Sequence, residues 1–97
     1  MTLALKLEGN EFSEQEVQEV VASALASEVA QAEARRAYFA KLCTQFEEKY
    51  GFSSDEFMRR FEAGELGDEE ELFDWYAAKR GFDLWDRRYR ILSQVTV

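Results

Sequence analysis

Residues 14–50 read EQEVQEVVASALASEVAQAEARRAYFAKLCTQFEEKY. They hold neither Gly nor Pro, and Ala recurs at 22, 24, 26, 30, 32, 34, 37 and 40, so nothing in these 37 positions opposes a helix. Ser13 offers an N-cap oxygen, and Glu16 completes a capping box in which each side chain meets a free backbone N–H of the other residue. Phe12 before the cap and Val17 after it form a hydrophobic staple. Gly51 supplies the stop, because it takes the left-handed conformation that ends a last turn. The expected helix, about 14–50, is ~55 Å long at about 1.5 Å per residue. A compact monomer of this size cannot bury the apolar stripe of such a helix; a break near Ser27 would divide it into two ordinary ones.

The stripe is a heptad seam. Leu25, Val29, Ala32, Arg36, Phe39, Cys43, Phe46 and Tyr50 advance by 4, 3, 4, 3, 4, 3, 4. Its first half is small and its second half aromatic, with Arg36 interrupting it. A second helix, about 54–63, starts after Ser53, with Glu56 as box partner, Phe52 and Phe57 as staple, and Gly64 as stop. Phe57, Met58 and Phe61 form its apolar face. A third, about 69–93, starts from Asp68 with Glu71 as box partner and acidic residues in its first turn, where the helix dipole favours them. Its seam is Trp75, Ala78, Phe82, Trp85, Tyr89 and Leu92. Gly81 lies inside that seam, and Lys79-Arg80-Gly81 has the form of a helix stop or kink; because the seam keeps phase across it, the favoured reading is a continuous helix. Leu3, Leu5 and Leu7 alternate with polar or small residues, the pattern of a half-buried strand at about 2–8, with Gly9-Asn10 as a turn. Val95-Thr96-Val97 reads as a short terminal strand.

The fold class is therefore all-α, in a single domain over 1–97: a short N-terminal strand, a long helix, a short helix and a long helix. The two long helices form a hairpin. Phe73, Tyr76, Tyr38 and Ile91 are left over, and a lone strand needs a mate, so the expected assembly is a homodimer with a four-helix arrangement.

Composition narrows the function. Hydrophobic residues make up 46%, enough for a core. No apolar run approaches the roughly 20 residues of a membrane span, and the start lacks a secretory signal pattern, so no membrane association and a cytoplasmic location are expected. With no His and one Cys, neither an internal disulfide, a Cys/His zinc site nor a Ser-His or Cys-His catalytic pair is available. Glu71-Leu-Phe-Asp74 fits half of the paired-carboxylate magnesium motif of helical nucleotide pyrophosphohydrolases, but Glu16-Val-Gln-Glu19, the other half by type, lies far upstream of that motif's spacing. The acidic run from Glu65 to Glu71 lacks the alternating ligands and central Gly of an EF-hand. Cys43, between seam aromatics, reads as a buried thiol. No enzyme activity, cofactor or metal is expected.

The charge is uneven. Lys and Arg number 12 against 20 Asp and Glu, a net −8. Residues 1–78 carry −11 and residues 79–97 carry +3. Such a surface repels phosphate backbones, which disfavours nucleic acid, and suits self-association or a partner with a charged face of its own. Arg87, Arg88 and Arg90 form a basic tail beside Trp85, suited to phosphates or to the acidic Glu65–Glu71 region of a two-fold mate.

The stretch Phe46-Glu-Glu-Lys-Tyr-Gly-Phe-Ser-Ser-Asp-Glu-Phe57, then Phe61-Glu-Ala-Gly-Glu-Leu-Gly-Asp68, then Phe73-Asp-Trp75 resembles a group of small prokaryotic proteins encoded beside a small toxin. The likeness runs from Tyr38 to Leu92 and implies an antitoxin-like role. The expected function is a non-enzymatic, acidic interaction protein that occludes a partner protein, a toxin or another. Asp74, Trp75, Tyr76, Trp85 and Tyr89 are the expected contact residues, with the Glu69–Glu71 turn adding charge. The alternatives are a DNA-binding regulator of ribbon-helix-helix type using residues 2–8, and a purely structural homo-oligomer.

Overall fold

In the computed structural model, which describes residues 6–97, the chain forms α1 (Glu14–Tyr50), α2 (Ser54–Glu62) and α3 (Glu70–Ser93). α1 runs unbroken through Ser27 for 37 residues. Its ends are built as the local sequence dictates. The Ser13 hydroxyl accepts the Glu16 N–H at 3.1 Å, and the Glu16 carboxylate accepts the Ser13 N–H at 3.2 Å. Gly51, at φ 82°, donates its N–H to the Glu47 carbonyl at 2.8 Å. Ser53 caps α2 in the same way, accepting the Glu56 N–H, while the Glu56 carboxylate turns to Arg59 and Arg60.

The start of α3 differs from expectation. Glu69, not Asp68, is its N-cap, and no side chain bonds to the free N–H groups there. Glu71 is not a box partner. Its carboxylate accepts bonds from Lys49 at 2.7 Å and from the Tyr50 hydroxyl at 2.7 Å. A tertiary charge-assisted pair replaces the local cap and ties the start of α3 to the end of α1.

α1 and α3 pack as an antiparallel hairpin, joined at Tyr50 with Trp75, at Arg36 with Asp86 and at Gln18 with Val97. All eight expected seam positions of α1 are buried or half-buried, as are the six of α3. The long helix is accommodated by elongation. The molecule measures 60 × 21 × 21 Å with a radius of gyration of 19.3 Å, against about 13 Å for a compact chain of 100 residues. Where α3 ends, residues 95–97 continue along the first half of α1 beside Leu25 and Val29, and Gln18 donates to the Val97 carbonyl at 3.0 Å.

No extended β-strand forms among the described residues; of the terminal strand expected over 95–97, a single bridge residue, Thr96, is present. The strand expected over 2–8 lies mainly outside the described residues, and its described part, 6–8, is irregular.

α3 continues through Gly81 because of what lies opposite. A Cβ at Gly81 would sit 2.7–2.8 Å from three ring atoms of Phe39. The missing side chain is therefore the space in which the Phe39 ring packs. Gly81→Ala should gain up to about 1 kcal/mol of helix propensity yet lose more to overpacking, typically about 1–3 kcal/mol. We expect a lower thermal midpoint for Gly81→Ala and recovery on adding Phe39→Leu. A midpoint raised by Gly81→Ala alone would contradict this packing.

Candidate interaction surface

The five residues expected to meet a partner do not lie together on one face. Trp75 has 0% exposure. Its ring stacks on Phe57 at 4.1 Å between centroids and 10° between planes, and Phe46, Tyr50 and Phe52 surround it at 5.3–5.6 Å. Its indole N–H donates to the buried Ser54 hydroxyl at 2.9 Å, and the Ser54 amide donates to Glu47 at 2.7 Å. Trp75 thus joins all three helices, and the intact fold offers none of it to a partner. Tyr76 is half-buried, stacked on Phe61 at 4.9 Å with its hydroxyl accepting from Arg80. Asp74 is exposed.

Trp85 and Tyr89 lie farther along the seam, beyond the reach of α2, and arginines cover them. The Arg35 and Arg88 guanidinium groups lie 4.6 and 4.9 Å from the Trp85 ring centroid, and Arg36 lies 5.2 Å from that of Tyr89. Arg36, the interruption in the seam, pairs with Asp86 at 2.7 Å, and Arg90 pairs with the other oxygen of Asp86 at 3.0 Å. Two of the three tail arginines are therefore engaged within the hairpin. Arg87 is exposed.

Beside the Trp75 cage, Cys43, Glu47, Ser54, Asp55, Lys79 and Phe82 line one cleft. Burial pushes the Cys43 thiol up from its ordinary value, which keeps it protonated and a weak nucleophile. Burial disfavours the charged form of Lys79, but Asp83 at 2.7 Å and Asp55 at 3.0 Å outweigh this and raise its pKa, so it stays an ammonium. The cleft's charges are matched to one another, which is the chemistry of a structural joint. No buried side-chain polar atom among the described residues lacks a hydrogen-bond partner, and no cluster there has the composition of a metal site.

The opposite end of the molecule is different. Between residues 8 and 34 the sequence has seven Glu and neither Lys nor Arg. In this acidic arm Phe12 is 61% exposed and Val20 69%. Both line one groove with Val17 and Val21, edged by Glu16 and Glu19. A staple pairing does not predict this surface: Phe12 shares the groove with Val17, but most of its side chain stays open. No family model, curated protein or solved structure matches the chain.

The ion pairs set an acid response. Lys49, and then the Tyr50 hydroxyl, hold the Glu71 carboxyl below its ordinary 4.5, and Arg59 and Arg60 bring Glu56 down to about 2. Carboxyls depressed on folding stabilise the protein above their unfolded pKa, and that stability is lost as pH falls through the folded pKa. Protonating other carboxylates also relieves the −8 self-repulsion, so a comparison with variants isolates these two groups. Glu71→Gln with Glu56→Gln should melt lower than the wild type at pH 7, and the gap should narrow from about pH 4.5 down to about pH 2. A gap independent of pH over that window would contradict these pairings.

Proposed function

We propose that the chain is a non-enzymatic, antitoxin-like interaction protein that works as a homodimer and occludes a basic partner protein with the acidic arm of α1. The observation that carries the reading is the acid-edged apolar groove around Phe12 and Val20. An exposed aromatic anchor flanked by carboxylates is an arrangement that steers a complementary partner and then desolvates against it. A surface that binds nucleic acid or an anionic substrate is basic, and the arm's carboxylates compete there with phosphate. The same carboxylates make the arm a poor ligand for DNA. The Trp75 cage and the arginine-covered seam serve as the rigid scaffold from which the arm projects. The homodimer is supported by large apolar side chains that the hairpin leaves exposed, among them Tyr38, Phe73, Leu84 and Ile91.

The test uses the full chain as bait in an extract of its native host, beside a Phe12→Glu, Val20→Glu variant. Both positions are exposed, so the variant should keep its helicity. The expected result is a retained protein of basic isoelectric point whose binding, remeasured with purified components, weakens at least tenfold in the variant, about 1.4 kcal/mol. Undiminished binding by the variant, or a retained partner that is itself acidic, would overturn the reading.

A further inference from the structure

α3 carries a second heptad row on its outer side. Phe73, Ala77, Arg80, Leu84, Arg87 and Ile91 advance by 4, 3, 4, 3, 4, and all six are exposed. Phe73, Leu84 and Ile91 show 51, 48 and 54% of their surface. The inner seam, from Leu72 to Leu92, lies on another side of the same helix, so the row is not spare surface of the hairpin core. It runs ~27 Å at about 1.5 Å per residue.

Charge is segregated along this row. Glu69, Glu70 and Asp74 stand at its first end, and Arg87, Arg88 and Arg90 at its last; all six are exposed. Against a parallel copy, like would face like at both ends. Against an antiparallel copy, each acidic end meets a basic one, and a two-fold axis produces that orientation by itself.

We infer that this row is covered by a second copy of the chain, α3 against α3 in antiparallel register. The inference rests on the homodimer reading above and adds its interface. The register that closes the row on itself sets Phe73 against Ile91 of the second copy, Ala77 against Arg87 and Arg80 against Leu84. The stems of Arg80 and Arg87 then lie over Leu84 and Ala77 while their guanidinium groups reach the edge. Asp74, which flanks the row on the same edge as Arg88, comes beside Arg88 of the second copy. Asp83 is the acidic group nearest the axis, and Lys79 of the same chain already matches it at 2.7 Å, so the axis does not bring two bare carboxylates together. The acidic arms of α1 stay free at the two ends of the dimer, where a partner reaches them.

Sedimentation equilibrium at tens of micromolar and about 0.1 M salt tests this. The wild type should have twice the 11.3 kDa chain mass. Leu84→Asp, at an exposed site, should give a monomer of unchanged helicity. Asp74→Arg should weaken the dimer at least tenfold, and adding Arg88→Asp should restore it, since the swapped pair attracts again. A wild-type monomer would overturn both the homodimer reading and this interface. A wild-type dimer indifferent to Leu84→Asp, or a charge swap that fails to rescue Asp74→Arg, would overturn the interface alone.

Discussion

Everything in the closed half of this molecule depends on one indole. Trp75, in α3, touches α1 through Phe46 and Tyr50 and α2 through Phe57, and its single polar atom finds Ser54 inside the core. A buried N–H without an acceptor costs roughly 1–3 kcal/mol, so Ser54 is held as firmly as the ring it serves. Ser54 in turn begins α2, and its amide reaches back to Glu47 of α1. The short helix is thus stapled between the long ones by a chain of two hydrogen bonds and a stack of five aromatic rings. Small domains have little core to spare; this one concentrates it at one end.

Away from that end the packing thins. Beyond Phe82 only α1 and α3 remain, and two helices cannot enclose an aromatic ring. Arg35 and Arg88 cover the faces of Trp85, and the Arg36–Asp86–Arg90 chain pins the helices across the seam. Past Leu92 the residues 95–97 lie along α1 beside Leu25 and Val29. The result is a gradient from a rigid aromatic joint to an open acidic arm, with scaffold and proposed partner surface at opposite poles of a 60 Å body.

The hairpin was legible because its signals are local. Caps at Ser13 and Gly51 and the 3–4 spacing of both seams name residues within a few turns of each other, and these are the contacts observed. Burial depth was not legible. Trp75 and Trp85 belong to one heptad seam, and only the position of α2 makes the first a core residue and the second a half-exposed one. The role of Glu71 was hidden for the same reason: its partners Lys49 and Tyr50 stand 22 and 21 residues away, whereas the box it resembles is read from a spacing of three. Phe12 shows the reverse error, since a staple pairing accounts for its contact with Val17 and leaves its exposure unstated.

One continuous helix, α1, serves a closed aromatic joint at one end and an open acidic arm at the other. Native-state amide hydrogen exchange, read residue by residue, tests it most directly. Amides of residues 40–50 and 72–80, around Trp75, should exchange only through global unfolding. Those of residues 17–31 should exchange through smaller, local openings that leave the aromatic joint closed. Uniform protection along α1, or protection lost first around Trp75, would contradict it.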